Sequence, residues 1–286
     1  MNATADIHEL VSELKTKGEP FAVATVIRTV SVTSAKAGAK AVILNDGSIS
    51  GGWIGGGCAR AAVLNAARET IQDGQPRLVS VEPEHILADK GISPGEESGG
   101  VKYSRNMCPS QGSMDIFVEA IQPRPELVIM GATPVAIALA QLGKTLGFAC
   151  TVCAESGEFE HFPAADTKIK GFELDESNAR RFVVIATQGR GDEKALLSAL
   201  NTRSEYIAFV GSRKKAASLR SKLTEEHDIS ADEFDRVKAP AGLDIKAILP
   251  EEIALSILAE IVEMRRSGEH AVKRDSNMSE TESFQA

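Results

Sequence analysis

The sequence predicts an α/β protein: an N-terminal mixed α/β domain with a glycine-rich loop, then a C-terminal Rossmann-like, doubly wound parallel sheet. Two observations predict it. In the first half, strand-like segments rich in Val, Ile and Thr surround the run Gly51-Gly52-Trp53-Ile54-Gly55-Gly56-Gly57-Cys58, which opens onto an alanine-rich helix. In the second half, short apolar runs alternate with helical stretches, as in βαβ units whose parallel strands are covered on both faces. Pro123 and Pro125 mark the boundary, giving domains over residues 1–122 and 127–265. The polar stretch 266–286 is expected to be disordered.

Each element has its own signal. Ile7, Leu10, Val11 and Leu14 recur at i, i+3, i+4 and i+7, an apolar stripe on a helix that stops near Gly18. Phe21 to Val30 is β-branched enough for a strand, and Lys40 to Leu44 runs into Asn45-Asp46-Gly47, a hairpin turn. Ala59 to Ile71 reads as the helix after the glycine loop, ending before Gly74. Residues 82–106, polar and without periodicity, read as a mobile loop before a strand over Ser113 to Ala120. Beyond the boundary come a strand (Leu127 to Met130), a tight turn, a helix (Val135 to Leu146) and a second strand (Phe148 to Ala154). Strands at Phe182 to Ala186 and Tyr206 to Val210 are each followed by a helix, and Glu251 to Met264 closes the domain.

Composition narrows the function. With 286 residues and 43% hydrophobic content the chain can bury two cores. No run reaches the ~20 apolar residues of a membrane span, and the start lacks a signal-peptide pattern, so a cytoplasmic protein is expected. A net charge of -8 disfavours a nucleic-acid partner. Four cysteines in a chain of this length read as reduced thiols rather than a disulfide framework.

The candidate site residues are few. Gly55, Gly56 and Gly57 let the backbone bend so that successive N–H groups converge at a helix N-terminus, an arrangement suited to anions. Cys58, in the first turn of that helix, shares the positive field and reads as a ligand or sulfur carrier. Cys108 occupies a second polar turn, Asn106 to Gly112, and nothing in the sequence brings the two thiols together. Cys150 and Cys153 sit three apart on a strand, where side chains point to opposite faces, and read as core thiols. No Cys or His set has metal-ligand spacing, so no metal residue is assigned. In the second domain, Gly131 and Thr133 occupy the first βαβ turn and Glu155 ends the next strand, where a dinucleotide fold binds pyrophosphate and ribose. Thr133 stands where a second glycine is usual, which weakens NAD(P) binding, though its hydroxyl suits a phosphate. Arg213, after Gly211-Ser212, offers a bidentate fork to phosphate. The five histidines occur singly and no acid–base pair is evident, so no catalytic residue is assigned.

Taken together, these segments resemble the XdhC/CoxI family of molybdenum hydroxylase maturation proteins, to about residue 265. The resemblance is carried by Thr33-Ser34-Ala35 with Gly38 and Lys40, GGWIGGGC, CPSQG followed by Met114 to Glu119, the Gly131-Ala132-Thr133-Pro134-Val135-Ala136 turn, Ala186 to Gly189, Gly211 to Lys215, and Ala239 to Ile245. It implies an accessory chaperone whose cargo is the molybdenum cofactor, as molybdopterin or its dinucleotide form. The implied partner is an apo-molybdenum hydroxylase, with a cysteine desulfurase as sulfur donor, and the implied assembly is a homodimer. Ser34-Ala35 and Thr133-Pro134 replace the Pro-Arg and Gly-His pairs of the xanthine dehydrogenase branch and look more like the branch accompanying carbon monoxide dehydrogenase. Arg60 stands where Gln or Glu is common. Two other readings remain: an NAD(P)-dependent oxidoreductase using Gly131 and Glu155, and an adaptor between hydroxylase and sulfur donor whose motifs are all structural.

Overall fold

A computed structural model describes residues 6–109, 111–227 and 229–281, with side chains to Arg266. The chain divides into two compact units, Met1–Pro123 and Arg124–Ala286.

Unit 1 runs α1 (Ile7–Lys17), β1 (Phe21–Val30), β2 (Lys40–Leu44), β3 (Ile49–Gly52), α2 (Gly57–Asp73), β4 (Arg77–Pro83), α3 (Glu84–Asp89), β5 (Glu97–Ser98), β6 (Val101–Asn106) and β7 (Ser113–Ile121). Its seven strands form one sheet in the order β3-β2-β1-β7-β4-β6-β5, antiparallel except for the β4–β6 pair. The two-residue period of β1 explains the layering. Ala22, Ala24 and Val26 face α2, where they pack with Ala59, Val63, Ala66, Ala67, Ile116 and Val118. Phe21 and Val23 face the other way and pack with Leu14 of α1 and Val42. Alanines on both strand and helix let α2 approach closely, and that fixes where its N-terminus emerges. The expected turn is present: Asp46 Oδ1 accepts the Ser48 N–H at 2.8 Å, and Gly47 supplies φ +81°.

The expected loop over 82–106 is instead α3, β5 and β6 joined by short turns. β6 escapes the periodic test because it is half-exposed along most of its length, so no apolar alternation marks it. Its backbone nevertheless pairs with β4 from Leu78–Val101 to Pro83–Asn106.

Unit 2 runs β8 (Glu126–Met130), α4 (Pro134–Thr145), β9 (Ala149–Ala154), a 3-10 helix (Ser156–His161), β10 (Thr167–Lys170), β11 (Arg181–Ile185), α5 (Asp192–Leu200), β12 (Tyr206–Phe209), α6 (Arg213–Glu226), α7 (Ala231–Phe234), β13 (Val237–Lys238) and α8 (Pro250–Thr281). The six strands are parallel, in the order β10-β9-β8-β11-β12-β13. Counted from β8, this is the 3-2-1-4-5-6 order of dinucleotide-binding sheets, and the order reverses between β8 and β11. α4 and α8 cover one face and α5 and α6 the other, which is why β11 is buried at all five positions. Gly143 permits the close seating of α4: a Cβ there would lie 2.6 Å from Leu127 Cδ2.

The closing helix does not stop at Met264, and residues 267–281 are not irregular as expected: α8 is one helix to Thr281. From Glu251 to Thr281 the sequence has no proline and a single glycine, Gly268, so nothing in the backbone chemistry ends the helix where its apolar stripe does. Residues 282–286 lie outside the described residues.

Candidate functional site

In unit 1 three segments meet where α2 begins. The bend is made by Gly55 (φ +106°) and Gly57 (φ +51°), with Gly56 extended between them. Gly55 is required twice over, because its φ suits glycine and a Cβ would lie 2.9 Å from Ser34 Oγ. Ser34 ties the bend down: its hydroxyl accepts the Gly56 N–H at 3.3 Å and its carbonyl accepts Trp53 Nε1–H at 3.3 Å. The N-cap residue Gly56 gives α2 no side-chain cap, and no acidic residue lies in its first turn. The first-turn N–H groups therefore lack the partner that Ser, Asp or Asn would supply, and the helix dipole is uncompensated there. Gly57 is exposed and Cys58 half-buried, so solvent reaches this end.

The second thiol arrives from the opposite segment. The Met107 N–H donates to Cys58 Sγ at 3.4 Å, which places the residue preceding Cys108 against the first sulfur. The turn around Cys108 is internally bonded. Asn106 Oδ1 accepts the Cys108 N–H at 2.9 Å, Asn106 Nδ2 donates to the Gly112 carbonyl at 2.6 Å, and the Cys108 carbonyl accepts the Gln111 N–H at 3.1 Å. Val32 bridges to Gln111, and a Cβ at Gly112 would lie 2.3 Å from the Val32 carbonyl oxygen. Cys108 is exposed, and Val32, Trp53 and Met107, one on each of the three segments that meet here, present apolar surface at 68%, 49% and 68% exposure.

Behind this turn lies a polar network that the sequence reading did not find. Glu82 on β4 is 2% exposed. Ser113, the first residue of β7, donates to its Oε2, and Lys90 Nζ stands 2.9 Å from its Oε1. Ser80 Oγ lies 2.7 Å from Asp115 Oδ1 and 3.3 Å from Glu82 Oε1, and Arg28 Nε is 2.6 Å from Asp115 Oδ2. The signal was the alternation Ser80-Val81-Glu82 on β4, polar on the face away from α2, within a stretch that reads in part as loop.

In unit 2 the remaining candidates lie at the carboxyl edge of the parallel sheet. Gly131 (φ +115°) follows β8 beside the order reversal, and a Cβ there would lie 2.5 Å from the Ala186 carbonyl oxygen, so close backbone packing alone demands glycine. Thr133 is buried and caps α4, its Oγ1 accepting the Ala136 N–H at 3.3 Å. Glu155 follows β9 but is engaged in a capping box with Glu158. Glu158 Oε1 in turn meets Arg190 Nη2 at 3.3 Å. Arg213 is exposed at the start of α6. Beside it, Lys215 Nζ lies 2.5 Å from Asp192 Oδ2, while Thr187 donates to Asp192 Oδ1, which also accepts the Gly189 N–H at 2.9 Å. Burial alone would raise the Asp192 pKa, but the Lys215, Thr187 and Gly189 bonds together hold it below the usual aspartate value.

Cys150 and Cys153 are buried in the cores on opposite faces of unit 2. Burial, then the nearby Asp166, pushes the Cys150 pKa up to about 11, and burial, then Glu126, pushes that of Cys153 up to about 12. Of the histidines, His8, His85, His161 and His227 are exposed. Glu193, Glu226 and His227 place their ligand-type atoms within 4.8 Å of one another. Lys222 Nζ stands 2.5 Å from Glu193, so the group is an ion-pair network between α5 and α6. Among the described residues, no helix is long and apolar enough to cross a membrane.

A two-unit α/β protein with a dinucleotide-type sheet and an open pair of thiol-bearing loops is thus defined. Two family models match it: the XdhC Rossmann domain over residues 127–261, and the XdhC and CoxI family over residues 14–82. The chain belongs to the XdhC/CoxI family. It is 29% identical over 265 residues to the uncharacterized protein YqeB of Escherichia coli (strain K12), covering 90% of this chain and 46% of that one. It is 30% identical over 165 residues to a probable xanthine dehydrogenase component of Bacillus subtilis (strain 168), covering 53% of this chain and 46% of that one. The chain thus spans about half the length of these curated relatives. A crystal structure described as a xanthine dehydrogenase from Bacillus halodurans shares 21% identity at a TM-score of 0.44, covering 91% of this chain and 95% of that one.

Proposed function

We propose that the chain is a maturation factor for a molybdenum hydroxylase of the carbon monoxide or xanthine dehydrogenase type, with the molybdenum cofactor as its cargo. The observation that carries this reading is the meeting of an uncapped, glycine-rich helix N-terminus with two thiol-bearing loops, one sulfur already in contact with the other loop. The N–H donors of Gly57 and Cys58, left over once Ser34 has taken the Gly56 amide, take the pterin phosphate, which a positive helix end favours. Cys58 and Cys108 take the metal side, where a thiolate sulfur serves as a ligand. Trp53 and Met107 give the flat face of the pterin ring something to lie against.

The edge of the unit 2 sheet, at Gly131, Thr133, Glu155 and Arg213, holds a nucleotide of its own. Strand order supports this, because ligands of open parallel sheets bind at the carboxyl edge where the order reverses. Thr133 and Glu155 are engaged in local caps, so Arg213 and Arg190 supply the charge in this reading. The partners are the apo-hydroxylase and a sulfur donor of the cysteine desulfurase type, and the protein acts in the cytoplasm as a homodimer. Protein purified from a cofactor-producing host should carry pterin and molybdenum, both reduced in Cys58→Ala; wild-type protein that takes up neither refutes the reading. Titration with NAD(H) and NADP(H) separates it from the oxidoreductase alternative, which requires hydride transfer to a carbonyl substrate.

A further inference from the structure

The four thiols fall into two classes. Cys150 and Cys153 lie inside unit 2, and burial holds both in the protonated form. Cys58 is half-buried and Cys108 exposed, on two loops already joined by the bond from the Met107 N–H to Cys58 Sγ. Backbone geometry puts the Cys108 Cα at most about 5 Å from the Met107 nitrogen, hence no more than about 8–9 Å from the Cys58 sulfur. The exposed Cys108 side chain can rotate to close part of that gap, and the 107–111 turn needs a shift of only a few ångströms to reach disulfide geometry.

We propose that Cys58 and Cys108 form an oxidisable pair, a reversible modification site at which a low-molecular-weight disulfide links the α2 loop to the 107–112 turn. The Cys58 thiolate attacks one sulfur of the small disulfide, forming a mixed disulfide and releasing one thiol. The Cys108 thiolate then attacks the Cys58 sulfur and displaces the second thiol. Two protein thiols are oxidised, losing two protons and two electrons, and one small disulfide is reduced to two thiols. The bond occupies both sulfurs and draws the two loops together. On the reading given above, and resting on it, the bridged form cannot hold the cofactor's metal side.

The test uses the reduced, full-length protein treated with oxidised glutathione, followed by thiol counting and non-reducing peptide mapping. Two of the four thiols should disappear, and the tryptic peptides 41–60 and 106–144 should be joined through Cys58 and Cys108. Cys150 and Cys153 should be alkylated only after denaturation. Cys108→Ser should stop at a glutathione adduct on Cys58, and Cys58→Ser at an adduct on Cys108. Glutathione adducts that persist on both residues of the wild type overturn the proposal, as does a link to Cys150 or Cys153 or a bond only between two chains. The mapping makes no use of cofactor, so a failure of the cargo reading and a failure of the bridge are separate results.

Discussion

Ser34 sets the shape of the glycine bend by taking one amide and leaving the next two at the open end of α2. Gly55→Ala would force a side chain against Ser34 Oγ at φ +106° and should cost about 1–3 kcal/mol in a denaturant melt. Ser113→Ala would leave Glu82 Oε2 without its donor, and should cost about 1–3 kcal/mol in the same measurement while raising the reactivity of Cys108 as its turn loosens. Asp192 gives a pH signature. Its folded pKa lies below its unfolded value of 3.8, so the folded state binds fewer protons there and stability rises with pH. The contribution is complete above about pH 5 and is lost as pH falls through and below 4; Asp192→Asn should flatten that part of the stability curve. An unchanged acid limb in the variant would show that Lys215 does not hold the carboxylate ionised. Glycine, cysteine and serine identities were legible in the chain, whereas the pairing of Cys58 with the Cys108 turn was not. It depends on Val32, Gln111 and Asn106 meeting across a long stretch of chain, and no local pattern encodes that contact.

At the scale of elements, legibility followed burial. α2, β1, β8, β9 and β11 carry periodic or continuous apolar runs because both helix stripe and strand faces are covered, and the sequence pattern located each of them. β6, β10 and β13 have little apolar content to report: β10 is Thr-Lys-Ile-Lys on the sheet edge, largely exposed, and β13 is two residues long. α8 shows the converse error, since its apolar stripe ends near Met264 while the backbone stays helical to Thr281. Ile257 and Ile261 seat that helix on α4, and each is fully buried. Ile257→Ala should therefore cost about 2–5 kcal/mol, read as a lower unfolding midpoint. A change below about 0.5 kcal/mol, the scale of a surface substitution, would mean that α8 does not close the core.

For the whole molecule, the fold class was readable because two different periodicities sit on either side of Pro123 and Pro125. The strand order of unit 2 and the mixed sheet of unit 1 rest on pairings between distant segments, which no local window records. In a small part of unit 1 the uncapped start of α2 meets the segment that bears Cys108, with Val32, Trp53 and Met107 exposed on the segments that come together there. Unit 2 contributes a sheet edge whose acids and hydroxyls are mostly occupied in caps and ion pairs. The most direct test is native mass spectrometry of the full chain mixed with molybdenum cofactor released from a hydroxylase. The account predicts one cofactor mass per chain for the wild type and occupancy lower by about tenfold or more for Cys58→Ala at the same concentration. Wild-type protein that shows no adduct, or a Cys58→Ala variant as fully loaded as the wild type, would contradict it.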